Sequence, residues 1–161
     1  MEKGEDVPSI KYLIEKALRL LYRYEGNALI SITPNGKKIK KHVGERAIVF
    51  RFGIYFQRYL NKYKYYKQFD LDCEYNRSGT DIKKIKVVDR IFPDIILHQR
   101  GNNDNNIVVI EFKGWWNKNQ KYDEKKVLEM IDPDGDYKYN EGYTVLLERD
   151  KAIIKQIFLV K

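Results

Sequence analysis

The sequence predicts an α/β or α+β domain built on one sheet, because the spacing of its apolar residues changes along the chain. Apolar side chains recur every three or four positions in the first part, as in helices, and alternate with polar ones after residue 69, as in strands. One further helical stretch interrupts the strands. The chain has 161 residues, of which 43% are hydrophobic. That is enough for a compact core that needs neither disulfides nor a structural metal.

Two helices are predicted first. Residues 9–24 have helical apolar spacing, and Ser9 after Pro8 is a suitable N-cap. Residues 44–62 form the second helix, with Glu45 on the core-facing side of its first turn. The turn-forming sequence TPNGKK at 33–38 separates the two helices.

The remaining elements are short strands and one charged helix. Strands are predicted at 69–77, 83–88, 91–98, 106–115, 143–148 and 152–160. The strands at 91–98 and 106–115 are separated by the turn-rich QRGNNDN and are expected to form a β-hairpin. The helix at 119–131 ends where Pro133 and Gly135 follow it.

Several classes of protein are excluded by composition. The single cysteine, Cys73, excludes an internal disulfide framework and a multi-cysteine zinc site. The longest unbroken apolar runs have four residues, whereas a membrane helix needs roughly 20. The N-terminal sequence MEKGEDVPSIKY does not resemble a signal peptide. We therefore expect a cytoplasmic protein with no membrane partner.

No internal repeat and no long linker divides the chain. A single domain is therefore expected over residues 1–161. Within it, an N-terminal helix and basic turn at 1–43 precede the main core at 44–161.

The positive charge of the chain is concentrated in one segment. The formal net charge is +8, but residues 36–67 alone carry +9 while residues 123–150 carry −5. Tyrosines interleave with the basic residues of the first segment, a mixture that fits backbone contacts and base stacking on nucleic acid. A solubilising helix face with core tyrosines is the alternative. The residues expected to contact nucleic acid are Lys37, Lys38, Lys40, Lys41, Arg51, Arg58, Lys62 and Arg77. For Arg77, an ion pair with Asp72 or Glu74 is an equal alternative.

Two acids and a lysine stand inside otherwise apolar strands. Asp94 follows Pro93 in the run PDIILH, and Glu111 and Lys113 share one face of the strand NIVVIEFKGW. Charged side chains are rarely buried in strands unless they are paired or bind a metal. Their convergence predicts a site for a hard divalent cation, with Asp94, Glu111 and the backbone carbonyl of Phe112 as ligands. Glu45 is expected to reach the same cation, directly or through water.

Such a site suits hydrolysis of a phosphodiester bond. A cation there would lower the pKa of a bound water and neutralise charge developing on phosphorus. Lys113 would orient the water or stabilise the pentacovalent state. The alternative is that Glu111 and Lys113 form an exposed pair on an edge strand. The flanking apolar run IVVI favours a central strand instead. His98 is expected to be a hydrogen-bonded structural residue, and His42 to be solvated.

These residues resemble the signature of a known superfamily. Asp94 after Pro93, followed by Glu111-Phe112-Lys113, resembles the motif of the PD-(D/E)XK nucleases. The resemblance implies a restriction-endonuclease-like αβββαβ core, with a central mixed sheet flanked by helices. It also implies Mg²⁺- or Mn²⁺-dependent cleavage of nucleic acid, with DNA favoured over RNA, and a possible homodimer. Asp94, Glu111 and Lys113 are carried over as catalytic residues, and Glu45 corresponds to the helix acid frequent in the family.

Further segments resemble a group of small bacterial proteins within that superfamily. They are DCEYNR at 72–77, PDII at 93–96 and the turn His98-x-Arg100-Gly101. The chain also departs from the family. It has no Gln-x-x-x-Tyr element near Gln120, which disfavours the RecB-like subtype, and Gly114-Trp115-Trp116 follows the lysine where a basic residue is expected. The alternative function is a catalytically inactive nucleic-acid-binding or protein-interaction module on the same fold.

Overall fold

The computed structural model describes residues 6–35, 40–78, 81–84, 91–117 and 119–159. The helices in these ranges are α1 (Ile10–Glu25), α2 (Glu45–Leu60) and α3 (Gln120–Ile131). The strands are β1 (Asp70–Cys73), β2 (Arg77–Ser78), β3 (Asp81–Ile82), β4 (Ile95–His98), β5 (Val108–Gly114), β6 (Glu141–Leu147) and β7 (Ala152–Ile157). A π-helical turn at Gly26–Ile30 continues α1, and a 3₁₀ turn at Tyr66–Gln68 precedes β1.

Five strands form one mixed sheet in the order β1-β4-β5-β6-β7. The pairs β1–β4, β4–β5 and β6–β7 are antiparallel, whereas β5 and β6 are parallel and are connected through α3. The predicted α/β class and the hairpin between the fourth and fifth strands are thus confirmed. Strands β2 and β3 form a separate hairpin. The strand expected at 83–88 is not found at Lys83 and Lys84, and the rest of it lies outside the described residues.

Helices α1 and α2 cover one face of the sheet. The Ser9 hydroxyl caps α1 by accepting a hydrogen bond from the Tyr12 N–H at 3.3 Å. The predicted apolar stripe of α1 is buried, at Ile10, Leu13, Ile14, Ala17, Leu18 and Leu21. On α2, Phe52 packs against Phe112 of β5, with ring centroids 4.9 Å apart. The larger hydrophobic core therefore lies on this face, and the N-terminal helix α1 is part of it.

Helix α3 covers the opposite face. Val127 and Met130 pack there with Ile96 of β4 and Val109 of β5. The helix lies so close to β6 that a Cβ atom at Gly142 would come within 2.4 Å of the Val127 side chain. This close approach places the polar residues of α3 directly over β5.

A buried lysine anchors the chain after β3 to the α3 side of the molecule. Lys83 is 1% exposed, and its Nζ donates a hydrogen bond to the Tyr139 hydroxyl at 2.7 Å. The rings of Tyr75, Tyr137 and Tyr139 surround the ammonium, with centroids 5.6, 5.5 and 5.2 Å away. Burial lowers the pKa of Lys83 to about 8, partly offset by the charge of Asp72. The tyrosines compensate the buried charge through their ring faces.

The structure also bears on the membrane prediction. Across the described parts of the chain, no helix has the length and apolar character needed to cross a membrane.

Candidate active site

The start of β4 and the middle of β5 bring two acids together. Ile95 pairs with Ile110 in the antiparallel ladder, which leaves Asp94 opposite Glu111. The Phe112 N–H donates a hydrogen bond to Asp94 Oδ2 at 2.7 Å and fixes that carboxyl against β5. Asp94 and Glu111 are thus neighbours, as the alternation of strand side chains predicts.

Both acids lie where a negative charge is unfavourable. Glu111 is 2% exposed, and burial followed by repulsion from Asp94 raises its pKa well above the usual range. Burial also raises the pKa of Asp94 to about 6, and the charges of Glu45 and Asp123 add to this effect. Oε1 of Glu111 has no hydrogen-bond partner among the described residues. The pair therefore has more acceptor capacity than its surroundings satisfy.

Helix α3 supplies two charged residues that sequence reasoning missed. Lys126 Nζ lies 2.6 Å from Glu111 Oε2, and Asp123 Oδ2 lies 2.9 Å from Lys113 Nζ. Asp123 and Lys126 are both buried. A signal for them exists in the sequence, because they share a helix face with the apolar residues Val127 and Met130.

The two ion pairs keep both lysines charged. Burial opposes the charge of Lys113, but the hydrogen bond with Asp123 and the surrounding carboxylates raise its pKa overall. Burial likewise opposes the charge of Lys126, and Glu111 outweighs it, so that the pKa of Lys126 is also raised. The site is thus a cluster of alternating charges, which we call the β5 charge cluster: Glu45, Asp94, Glu111, Lys113, Asp123 and Lys126.

Glu45 enters the β5 charge cluster from the opposite helix layer. It is the first residue of α2, and its Oε2 accepts a hydrogen bond from the Gly114 N–H at the end of β5, at 2.8 Å. A carboxylate at this position is favoured by the positive end of the helix dipole. Glu45 therefore lies beside β5 and is held by its backbone, while its predicted contact with a cation stays a prediction.

The residues after Lys113 form an aromatic group near Glu45. Trp115 and Trp116 both pack against the core on the α1–α2 side, rather than on opposite faces of the sheet. His42 is exposed, as expected, and its ring stacks on that of Trp116 with centroids 3.6 Å apart. A Cβ atom at Gly114 would come within 2.2 Å of the Trp116 ring, so glycine is needed there.

The donor atoms of the site fit a hard cation in kind. Asp94 and Glu111 supply carboxylate oxygens, and Glu111 Oε1 is buried without a hydrogen-bond partner among the described residues. Those residues contain no group of three histidine, cysteine or acidic side chains arranged to hold a metal ion. Mg²⁺ commonly takes only one or two carboxylates and completes its shell with water and substrate phosphate. The two acids and the Phe112 carbonyl are therefore a chemically suitable but incomplete ligand set.

The basic residues predicted to contact nucleic acid differ in their surroundings. Arg58 and Lys62 are exposed in the last turn of α2 and just after it, and Lys41 is exposed before the helix. The Lys40 ammonium donates a hydrogen bond to the Thr33 hydroxyl at 2.8 Å. Arg77 is exposed in β2. Lys37 and Lys38 lie outside the described residues.

Arg51, predicted to contact nucleic acid, is already paired with another side chain of the protein. Its Nε lies 2.8 Å from both carboxylate oxygens of Glu25, and the Tyr55 hydroxyl donates to the same carboxylate. Phosphate binding by Arg51 would therefore compete with this ion pair.

A second polar group lies further along the same sheet face. His98 Nε2 lies 2.9 Å from Asp72 Oδ2, and the Arg100 Nε donates to that oxygen at 2.8 Å. Burial raises the pKa of Asp72, but the hydrogen bonds from His98 and Arg100 outweigh it and hold the pKa well below its usual range. His98 thus has the structural hydrogen bond expected of it. Glu74, the other acid considered for Arg77, pairs with Arg46 at 2.6 Å.

Comparison with known proteins adds no relative to this description. No protein-family model matches the sequence, and no curated protein is significantly similar to it.

Proposed function

We propose that this protein is a metal-dependent nuclease of the restriction-endonuclease-like type, which hydrolyses phosphodiester bonds of nucleic acid, with DNA as the favoured substrate. One observation carries the proposal: the partly buried Asp94 meets the buried Glu111, and one oxygen of Glu111 lacks a hydrogen-bond partner among the described residues. Two neighbouring acids with raised pKa values are costly as packing and are common where a cation binds.

The arrangement of elements supports the fold family. Helix α2 is followed by the antiparallel strands β1, β4 and β5, then by α3 and the parallel strand β6. This order agrees with the αβββαβ core expected from the resemblance, with β7 as an added edge strand. The acids come from the start of β4 and the middle of β5, as the motif requires.

Each residue of the site would have a distinct part in the reaction. Asp94, Glu111 and the Phe112 carbonyl would hold Mg²⁺ or Mn²⁺, and Glu45 would reach the ion directly or through water. The ion would supply charge neutralisation and a more acidic water. Lys113, held by Asp123, would orient the attacking water or stabilise negative charge on the phosphoryl oxygens. Lys126 would balance the charge of Glu111.

Nucleic acid would approach over α2. Lys40, Lys41, Arg58 and Lys62 lie along or beside this helix, which also contributes Glu45 to the β5 charge cluster. Contacts of this kind bind the phosphate backbone without reading sequence. Sequence specificity would then come from loops, from a partner or from a homodimer.

The test is cleavage by the purified protein. Plasmid DNA and single- and double-stranded oligonucleotides of DNA and RNA are incubated with Mg²⁺, Mn²⁺ or EDTA. We expect cleavage that requires the metal and is lost in Asp94→Asn, Glu111→Gln and Lys113→Met. The matched control is Lys155→Met, which removes an exposed lysine paired with Glu124 of α3 and should retain activity. Intact substrates under all metal conditions would overturn the proposal.

A second function is favoured by one observation. In the β5 charge cluster, Lys126 already neutralises Glu111, and Asp123 already neutralises Lys113. Such closed pairs suit a catalytically inactive nucleic-acid-binding module on the same fold. That module would bind DNA with strong salt dependence, and Glu111→Gln would leave its affinity unchanged. Cleavage by the wild-type protein that the same substitution abolishes would exclude it.

A further inference from the structure

A groove opens beside the β5 charge cluster, between α2 and the end of β1. Its volume is about 200 Å³, and it is lined by Arg46, Val49, Phe50, Cys73, Glu74 and Asp94. Asp94 is thus shared between this groove and the proposed catalytic site. A molecule in the groove would lie next to the reacting phosphate.

One wall of the groove is an aromatic ring left in contact with solvent. Phe50 lies one helical turn after Arg46 on α2 and is 59% exposed. The adjacent Val49 is 4% exposed and supports this wall from the core side. An exposed phenylalanine gains free energy when another flat apolar surface covers it.

The opposite wall of the groove contains the thiol of Cys73, which is unreactive. Burial, followed by the charges of Asp72 and Asp94, raises the pKa of the Cys73 thiol to about 11. The thiol therefore stays protonated at neutral pH and contributes a weakly polar surface rather than a nucleophile. At the rim, Arg46 pairs with Glu74 at 2.6 Å while its side chain remains 86% exposed.

The charge around the groove indicates which ligand it suits. Residues 36–67, which include α2, carry a formal charge of +9, which attracts a polyanion. The groove itself, however, offers an aromatic ring and two acids, which favour a neutral flat group over a phosphate. A nucleobase attached to a backbone phosphate has both properties. Bases paired in a duplex do not expose their faces to such a ring, whereas unpaired bases do.

We propose that the groove binds an unpaired nucleobase, stacked on Phe50, whose backbone phosphate lies at the cation that Asp94 and Glu111 would hold. This inference rests on the proposed nuclease function and specifies its substrate as a single-stranded, frayed or flipped nucleotide. Arg46 would contact the neighbouring phosphate when its pair with Glu74 opens.

The experiment compares binding of single-stranded and duplex DNA. Fluorescence anisotropy is measured in EDTA, where no cleavage is expected, with labelled oligothymidine of about 12 nucleotides and a blunt duplex of the same length. The proteins are the wild type, Phe50→Ala, Phe50→Leu and the control Tyr24→Ala. Tyr24 is an exposed aromatic residue of α1, 62% exposed, that does not line the groove. Circular dichroism verifies that each variant is folded.

We expect Phe50→Ala to weaken binding of the single strand by about tenfold, the effect of losing one base–aromatic stack. Phe50→Leu should weaken it less, because leucine keeps apolar area but loses the ring. Duplex binding should not change, and Tyr24→Ala should behave as the wild type. Equal single-strand affinities for Phe50→Ala and wild type, or equal losses on single strand and duplex, would overturn the inference.

The same proteins are assayed for cleavage with Mg²⁺, which distinguishes failure of the base subsite from failure of the nuclease function. If the wild type cleaves DNA but Phe50→Ala binds single strands normally, the subsite is wrong and the nuclease function stands. If the wild type neither binds nor cleaves nucleic acid, the proposed function fails and the subsite fails with it.

Discussion

Two acids on the α3 side of the sheet have opposite surroundings. Asp72 on the edge strand β1 pairs across the ladder with Ile96, and Glu111 lies on the central strand β5. Asp72 receives donors from His98 and Arg100, and its pKa is held low. Glu111 has a single lysine partner on one oxygen, and burial raises its pKa.

The difference shows how the same kind of side chain serves structure in one place and suits ligand binding in another. Two features distinguish them: Asp72 is only partly buried whereas Glu111 is fully buried, and Asp72 has more donors within reach. A carboxylate whose oxygens are satisfied adds stability and leaves no capacity for a ligand. A buried carboxylate with an oxygen left over retains that capacity at a cost in stability.

The largest expected effect is on catalysis, where substitutions of Glu111 and Asp72 should give opposite results. Glu111→Gln should lower metal-dependent cleavage at least about 1000-fold, because a neutral amide cannot balance a cation in the reacting state. Asp72→Asn should leave cleavage intact and lower the free energy of unfolding by about 2 kcal/mol through weaker charged hydrogen bonds. Plasmid cleavage and urea unfolding of both variants give the result. Equal losses of cleavage in Glu111→Gln and Asp72→Asn would contradict the assignment of a catalytic role to Glu111 alone of the two.

Removing the lysine partner of Glu111 should reveal the stability cost. In Lys126→Met, Glu111 loses its ion pair while remaining buried, and the free energy of unfolding in EDTA should fall by about 3 kcal/mol. Mn²⁺ should recover part of this loss by taking over the role of the ammonium, which thermal melts with and without the ion measure. The exposed Lys155→Met serves as the control and should show little change. An unchanged melting temperature in Lys126→Met would contradict the expectation that the buried Glu111 requires Lys126 as its partner.

The two kinds of acid should also act in opposite directions on pH stability. Asp94 has its pKa raised from 3.8 to about 6. As pH rises from about 4 through 6, the unfolded chain therefore loses this proton first, and the fold loses about 3 kcal/mol. Asp72 has a lowered pKa, so its contribution is present above the unfolded value of about 4 and is lost as pH falls below it.

Urea unfolding in EDTA between about pH 2 and 8 tests this reversal. Asp94→Asn should be more stable than the wild type at neutral pH and equal to it at acidic pH. Asp72→Asn should show the reverse, with its deficit largest at neutral pH. Parallel curves for wild type and Asp94→Asn would show that the acid is not destabilised by its position.

The smallest expected effect is on DNA binding and concerns arginines that donate hydrogen bonds to phosphate. Arg58→Ala should weaken binding of duplex DNA and reduce the slope of log affinity against log salt by about 1, as loss of one phosphate contact does. Arg51→Ala should change the slope less, because Arg51 is already paired with Glu25, which the Tyr55 hydroxyl also holds. Salt titrations of the two variants side by side decide the matter. An equal drop in slope would mean that the Arg51 pair opens to nucleic acid.

The larger elements could be predicted from the sequence because their patterns are long and their ends are marked. The helix predicted at 9–24 is observed at Ile10–Glu25, and the strand predicted at 106–115 is observed at Val108–Gly114. The two-residue strands β2 and β3 could not be predicted, since two residues carry no measurable alternation.

Part of the candidate site could likewise be predicted from the sequence. Alternation along two strands suffices to place Asp94 beside Glu111, because it depends only on local geometry and pairing. The positions of Asp123 and Lys126 over β5 depend on how α3 docks on the sheet, which the absence of a side chain at Gly142 permits. The helix face that they share with Val127 and Met130 indicates that Asp123 and Lys126 are buried, but their pairing with Lys113 and Glu111 requires the tertiary structure.

The β5 charge cluster gathers residues from distant parts of the chain, and this affects when it can form. Glu45, Asp94 and Glu111 are synthesised before Lys126, yet Asp94 and the other two acids repel each other, and Lys126 is the lysine that pairs with Glu111. Contacts between segments so far apart in sequence close late and slowly in folding. The docking of α3 therefore completes the charge balance. A nascent or truncated chain that ends before it would carry the acids without the arrangement that makes them a site.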